Sequence, residues 1–573
     1  MQEIKEGLLP PWARNLIEHY RGGTMNLFLV HGSVFDLVPL REDTGTRFVP
    51  LKEFVPRALF AGRDGVIFYD QAAGITCSTN ELTADMHSVA DYMATAAGGK
   101  PGVGLPREPG RALPLIERYL RTRLTGKGAK RVAVVIDHAQ SIVPNTDVAG
   151  LSSEETICLI TLLRWATEPL FLRSDVTFLL IAPNLAEVHQ PLVQNPYVAK
   201  VEIELPEENE RLEFVQSQLS GDTRSLTELK PETIASLTSG LSRVNILHMM
   251  ELALRNKRRI DHDYVFAQKK DLIEKECFGL LEFIKPGYSL DVISGHDAAK
   301  KWLMEDAALV KNGKVDCLPM GYLICGPVGT GKTFLITSYM GSIGIPCVKL
   351  KNFRSQWQGA TEGNMEKILA VLRATGPIGV LIDEADATLG NRDNSGDSGT
   401  SSRVFSLIAQ QMGDTRYRGK LLWFLLTCRP DLLPVDLKRQ GRAEVHIPLF
   451  YPHGEDEYKL FFKIMAKKVG VKMPEEALAA IHGNLTLSGA DIEGVLVRVR
   501  RRAEVAGRAE PNREDLEEEL NAFIPSVHGP EIDLQIYAAI SECTDKRFLP
   551  PEHAKLDRIQ VMMRLNELKR ALS

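Results

Sequence analysis

Eight consecutive residues carry the densest chemical signal in the chain: Gly326-Pro327-Val328-Gly329-Thr330-Gly331-Lys332-Thr333, a G-x-x-x-x-G-K-T run. It follows the apolar stretch Gly321–Cys325 and precedes a helical pattern, the setting in which such a run cradles phosphates. Glycines let the backbone wrap an anion, while loop amides and a helix N-terminus supply positive partial charge. Lys332 is then placed to reach β and γ phosphates, with Phe334 following on the helix, and Thr333 to ligate Mg²⁺ through its hydroxyl. Asp383 lies 51 residues beyond Lys332 and is followed by Glu384, both at the end of the apolar run Gly379–Ile382. Ligands sit at that end of the strands in a parallel α/β sheet. Asp383 would hold Mg²⁺, directly or through water, and Glu384 would orient and deprotonate an attacking water.

Positioning such groups takes a sheet, and the sequence supplies the pattern twice. Gly321–Cys325, Pro346–Leu350, Ile378–Ile382, Leu421–Thr427 and Glu444–Leu449 are short runs rich in Val, Ile, Leu or aromatics. Helical spacing fills the segments between the first four, as in Asn364–Arg373. This alternation predicts a parallel sheet covered by helices. The first half repeats it with Asn26–Val30, Gly65–Tyr69, Arg131–Ile136, Val176–Ala182 and Lys200–Leu205. Asp137 precedes Ile181 by 44 residues, and Asp383 precedes Thr427 by 44. A Ser-Gly pair follows in each half, Ser239-Gly240 and Ser488-Gly489. The fold class expected is α/β: two phosphate-loop-type parallel sheets with helices on both faces, each followed by a helical lid, then a C-terminal helical tail.

From about Leu290 to Ile524 the chain resembles the AAA branch of the AAA+ ATPases. Leu290–Leu303 (LDVISGHDAAKKWL) is similar to the segment whose backbone packs on adenine, with Val292, Ile293, Ser294 and Gly295 matching. Thr427–Asp431 (TCRPD) and Arg439–Arg442 (RQGR) resemble the second region of homology, and Arg442 falls at the arginine finger that reaches a neighbouring subunit's site. Gly489 and Ala490 match the start of the lid helix that contacts nucleotide. Phe353–Gly359 (FRSQWQG) resembles the pore loop, with Trp357, Gln358 and Gly359 as its substrate-gripping triplet, and Asn391–Ser402 resembles the second pore loop. The resemblance implies ATP and Mg²⁺ as ligands, Pro327–Phe334 around the phosphates, and Lys332, Glu384 and Arg442 as catalytic groups. Two positions depart from the family. Cys428 stands where the polar sensor is usually Asn, leaving Thr427 as its substitute, and Val445 replaces a second arginine.

The first half lacks the chemistry. Val30–Asp36 (VHGSVFD) holds no Gly-Lys-Thr, Asp137-His138 replaces the carboxylate pair, and no arginine lies between Leu185 and Lys200. His138 reads as a local hydrogen-bonding residue without metal partners nearby. The organisation expected is therefore a degenerate AAA-like module over 1–255, a linker over 256–289, an AAA core over 290–452, a helical lid over 453–525 and a helical tail over 526–573. Arg498, Arg500, Arg501 and Arg502 on the lid fit a solvated or inter-subunit face better than a nucleic-acid patch.

Composition sets outer limits. The 573 residues carry 69 Lys+Arg against 74 Asp+Glu, a net charge of -5, so no overall charge points to nucleic acid or membrane surfaces. Eight scattered cysteines without a CxxC pair exclude a disulfide scaffold and fit a reducing, cytoplasmic setting. MQEIKEGLLPPWARNL shows no secretory signal, and the longest dense apolar run, Leu421–Leu426, is strand-sized. The resemblance implies an ATPase forming a homo-oligomer, a hexamer in the family, that remodels an unknown protein client. An ATP-controlled scaffold with slow hydrolysis, motivated by Cys428, and a nucleic-acid-associated AAA+ ATPase stay open as alternatives.

Overall fold

The apolar runs are too short for helices, and several are flanked by Gly, Pro or Asp. In the computed structural model of the chain they form the strands of two mostly parallel sheets. The structure describes residues 8–572 except 24, 43–44, 97, 99, 101, 103, 125–128, 147–149, 220–221, 278, 286–287, 294, 313, 352–360, 390–399, 483–486 and 526–528. The chain divides into two compact units, Met1–Leu272 with Glu362–Ala374, and Ile273–Thr361 with Thr375–Ser573.

The first unit contains β1 (Leu27–Gly32), a hairpin of β2 (Leu37–Glu42) and β3 (Gly45–Pro50), then β4 (Gly65–Asp70), β5 (Gly74–Cys77), β6 (Val132–Ile136), β7 (Val176–Ile181) and β8 (Val198–Ile203). Its main sheet runs β5-β4-β6-β7-β1-β8, parallel except for β5, which pairs antiparallel with β4. The second unit contains β9 (Leu281–Ile284), β10 (Gly321–Cys325), β11 (Cys347–Leu350), β12 (Ile378–Ile382), β13 (Leu421–Thr427) and β14 (Val445–Pro448). Its sheet runs β14-β10-β13-β12-β11-β9, again parallel except for the last pairing. Counting only the five predicted strands, both sheets have the order 5-1-4-3-2, and each adds an antiparallel edge beside strand two.

That shared order bears out the repeated plan. The hairpin, β5 and β9 lie outside the predicted runs. β9 falls within residues 256–289, which also hold the helix His262–Glu276. Central strands are buried on both faces, as a sheet covered by helices requires; all seven residues of β13 and all five of β10 are buried. Tyr322 stacks on Phe424 with ring centroids 5.1 Å apart, filling the space beneath the helix Lys332–Ile343.

Four helices follow β14: Gly454–Val469, Glu475–Leu478, Gly489–Val505 and Arg513–Ala522. They share a core of their own around Phe462, Ile492, Leu496 and Leu516. The tail helices Pro530–Glu542 and Arg558–Leu572 pack on each other through Leu534, Ala538, Leu565 and Leu568. The tail is bound to the second sheet's layer. Phe548 enters that core, Lys438 pairs with Glu542 at 2.5 Å, and both ring nitrogens of buried His446 face carbonyl oxygens, Glu542 O at 2.7 Å and Ala443 O at 2.9 Å. Among the described residues no helix is long and apolar enough to cross a membrane.

Candidate functional site

Strand β10 ends at Cys325, and the chain must turn at once to start the helix Lys332–Ile343. Gly326 makes that turn at φ +136°, where a Cβ would lie 2.0 Å from Leu449 O. Only glycine fits so close to a backbone carbonyl. The loop then closes on itself: Thr330 Oγ1 donates to Pro327 O at 2.9 Å. Tyr451 donates its hydroxyl to Val328 O at 2.8 Å, and the Val328 amide donates to Gln535 Oε1 at 3.0 Å. Gly489 N–H reaches Gly329 O at 3.1 Å, so the first turn of the lid helix touches the loop. Ser488 starts that helix through a capping box with Asp491. Ala490 beside it is exposed.

The ionic groups converge at the C-terminal edge of the strands. The Lys332 ammonium lies 2.8 Å from Gly326 O, 2.9 Å from Pro327 O and 3.2 Å from Cys428 Sγ. Thr333 Oγ1 is 3.4 Å from Asp383 Oδ2, and Lys349 Nζ is 2.8 Å from the same oxygen. Asp383 Oδ1 accepts the Glu384 amide at 3.1 Å. Glu384 itself sits at φ +48°, an uncommon conformation for a side-chain-bearing residue, and its carboxylate is exposed. A hydroxyl and a carboxylate converging beside a glycine-turned loop are the hard oxygen donors that Mg²⁺ prefers, so the residues fit Mg²⁺ at Thr333 and Asp383.

Thr427 is buried and engaged. It donates to Asp386 Oδ1 at 2.6 Å and accepts the Arg429 amide at 2.8 Å. Cys428, the next residue, carries the side chain that meets Lys332. Arg442 is not among the groups gathered at the loop: it donates to Asp436 O at 2.8 Å, and its buried Nε has no hydrogen-bond partner among the described residues. Burial, and next Arg439, holds its guanidinium below the usual arginine range. The segment expected on the adenine side packs on the helix that follows the loop. Leu290 N bonds Ser342 Oγ at 2.9 Å, Ile293 is buried, Gly295 turns at φ +71°, and Tyr288 meets Phe334 with centroids 5.4 Å apart. Val292 belongs to the short 3-10 turn Leu290–Val292, while Ser294 lies outside the described residues. So do Trp357, Gln358 and Gly359, together with 391–399 of the second pore-loop segment.

Sequence reasoning missed Lys349, Gln535, Tyr451 and Asp386. Lys349 had a signal, a charge inside the apolar run PCVKL. The others had none, because their partners are distant in sequence.

The first unit keeps this backbone without the chemistry. Gly32 turns at φ +91° against Ile203 O as Gly326 does against Leu449 O. His138 sits at φ +52° with its amide on Asp137 Oδ1, as Glu384 does on Asp383. Its ring lies against Phe35, with centroids 6.0 Å apart. The counterpart of Ser488-Gly489 is Ser242-Arg243, the cap and first residue of the helix Arg243–Arg255, and not Ser239-Gly240 three residues earlier. Arg243 is buried, pairs with Asp36 at 3.4 Å and Glu210 at 3.2 Å, and joins loop to lid by protein contacts alone.

The order of strands and the loop at the end of strand one define a phosphate-loop α/β fold. Residues 322–451 match the ATPase family associated with various cellular activities (AAA). Residues 5–204 match the N-terminal Rossmann-like domain of an AAA+ chaperone family, and 209–278 match its second helical domain. The chain belongs to the AAA+ ATPases. It is 25% identical to a cell division cycle protein 48 homolog of Archaeoglobus fulgidus, over 63% of this chain and 53% of that protein. It is 28% identical to the uncharacterized AAA domain-containing protein ycf46 of Gracilaria tenuistipitata var. liui, over 49% of this chain and 57% of that one. An ATP-dependent zinc metalloprotease FtsH of Caldicellulosiruptor bescii is 27% identical, over 43% and 41%. The chain thus spans little more than half the length of the first two relatives.

Proposed function

We propose that the second unit binds Mg·ATP and hydrolyses it, and that the chain works as a ring-forming remodeller of a protein client. The observation that carries this reading is the convergence of Lys332, Thr333 and Asp383 at the carboxyl ends of β10 and β12. Lys332 leaves its carbonyl partners to meet the β and γ phosphates, where a fixed ammonium stabilises transferring charge. Thr333 and Asp383 would hold Mg²⁺, which would supply positive charge against the charge that develops on the phosphates. Glu384, fixed by its left-handed backbone, accepts the proton of the attacking water. Arg442 serves a neighbouring subunit, since its partners in its own chain lie away from the loop. Ring formation, the hexameric count and the pore triplet Trp357–Gly359 rest on the resemblance of the sequence motifs alone. HExxH does not occur in the sequence, so the protease activity in the FtsH name is not carried over.

The test is Glu384→Gln. It should bind Mg·ATP as tightly as the wild type, lose turnover, and retain client protein when ATP is present. Failure of the wild type to bind ATP would sink the proposal.

One observation favours the slower reading, an ATP-controlled switch. Thr427 is committed to Asp386 and Arg429, and the sensor position presents only the Cys428 thiol, a weak hydrogen-bonding group. Tight binding with no measurable steady-state hydrolysis would select it. A nucleic-acid role finds less support: Arg500 pairs with Glu504, Arg502 with Asp515, and Arg498 lies over Phe523.

A further inference from the structure

Lys349 is the one charged residue of β11, a strand paired on both sides, parallel with β12 and antiparallel with β9. Directly opposite it on β9 stands Glu282, the acid that strand pairing places nearest. Lys349 does not use it. Glu282 pairs with Lys351 at 3.3 Å, while Lys349 Nζ extends beyond the strand end to Asp383 Oδ2 at 2.8 Å. That oxygen is also the one Thr333 faces at 3.4 Å. Asp383 Oδ1 is taken by the Glu384 amide. The ammonium therefore lies on the carboxylate oxygen from which, with Thr333, a metal ion would be held.

We infer that Lys349 is a positioning residue of the metal site, a resident counter-ion on Asp383 that Mg²⁺ must displace in order to bind. This rests on the proposed Mg·ATP reading. An ammonium and a divalent cation cannot share one carboxylate oxygen at contact distance without strong repulsion. In the absence of nucleotide, Lys349 neutralises Asp383 and offers Mg²⁺ no net gain. When phosphates arrive on the loop they add negative charge beside Thr333, the balance shifts toward the divalent ion, and the ammonium is released. Lys349 thus couples metal binding to nucleotide binding, and it fixes the Asp383 rotamer until then.

The test uses the full chain and a fluorescent ADP analogue, titrated first with EDTA and then across Mg²⁺ concentration. K349M should lower the Mg²⁺ concentration at half-effect by roughly three- to tenfold, the size expected for losing one partly exposed charge pair. Analogue affinity in EDTA should fall modestly, because Asp383 is then bare beside the phosphates, with saturating Mg²⁺ restoring it, and K349R should restore the wild-type Mg²⁺ midpoint. K349Q serves if K349M melts below the wild type. An unmoved midpoint in a folded, binding-competent neutral variant overturns the inference. So does a fall in affinity that saturating Mg²⁺ does not restore, which would make Lys349 a phosphate ligand. If the wild type binds no analogue, the underlying Mg·ATP reading fails instead, and the two failures are distinct.

Discussion

Arg442 shows how a side chain can be well made and locally idle. Its Nη1 donates to Asp436 O, and its Nε is buried with no hydrogen-bond partner among the described residues. A buried donor left unsatisfied costs about 1–3 kcal/mol, and the proposed role gives the rest of this guanidinium an acceptor outside its own chain. The proposed acceptor is the γ-phosphate of a neighbour. Arg442→Ala should then abolish ATP turnover while leaving nucleotide affinity nearly intact. Mixing it with Lys332→Ala protein should recover part of the rate, because some interfaces then pair an intact loop with an intact arginine. Steady-state ATPase of the mixtures checks this once subunit exchange has been shown by mass spectrometry. No recovery at any ratio would refute a shared site.

At the scale of elements, the tail and the first unit's lid make separate claims. Phe548 lies in the core beneath β10 and meets Trp302 edge-on, with centroids 5.7 Å apart. Phe548→Ala should cost about 3–5 kcal/mol and release the tail, read as a lower melting temperature and faster proteolysis after Pro525. An unchanged melt would show that the tail is dispensable. In the helix His262–Glu276, Lys269 is buried with its ammonium on Ser239 Oγ at 2.8 Å. Burial, helped by nearby Arg211, lowers its pKa to about 8. Between that value and the ordinary lysine value near 10.5, the unfolded chain binds the proton and the folded chain does not, so stability rises with pH across this window. Below about pH 8 the buried charge is a cost. Lys269→Met should therefore gain stability relative to the wild type at pH 7 and lose that advantage by pH 10. Hydrogen exchange of peptides from 208–276 measures it, and a constant difference across the range would refute it.

For the whole molecule, two sheets of one strand order carry one phosphate loop. The first unit's loop is tied to its lid through buried Asp36 and Arg243, with half-buried Glu210 as a second partner of the arginine. Equilibrium binding should saturate near one nucleotide per chain, and Lys332→Ala should reduce it to none. Isothermal titration decides this; two equivalents would mean that the first unit binds nucleotide by groups other than a phosphate loop.

The sequence by itself determined the two sheets and the glycine-lysine loop after β10, for a physical reason. Strands buried on both faces must be continuous apolar runs, and a loop that wraps phosphates must be glycines followed by lysine and a hydroxyl, so both are written locally. The edge strands β5 and β9, of four residues each, and the six-residue strands of the β2–β3 hairpin escaped it, all four being half exposed and none a continuous apolar run. Residue pairing was decided by tertiary structure alone. Thr427 is taken by Asp386, Cys428 meets Lys332, and Gln535 reaches Val328 across 207 residues of chain. The displaced lid match is a case of the same kind. Ser239-Gly240 repeats the letters of Ser488-Gly489, but the helix begins at Arg243, where Ser242 can cap the amide of Asn245 and Arg243 can reach Asp36. A helix starts where its first amides are satisfied and its face is packed, and both conditions exist only once the chain has folded.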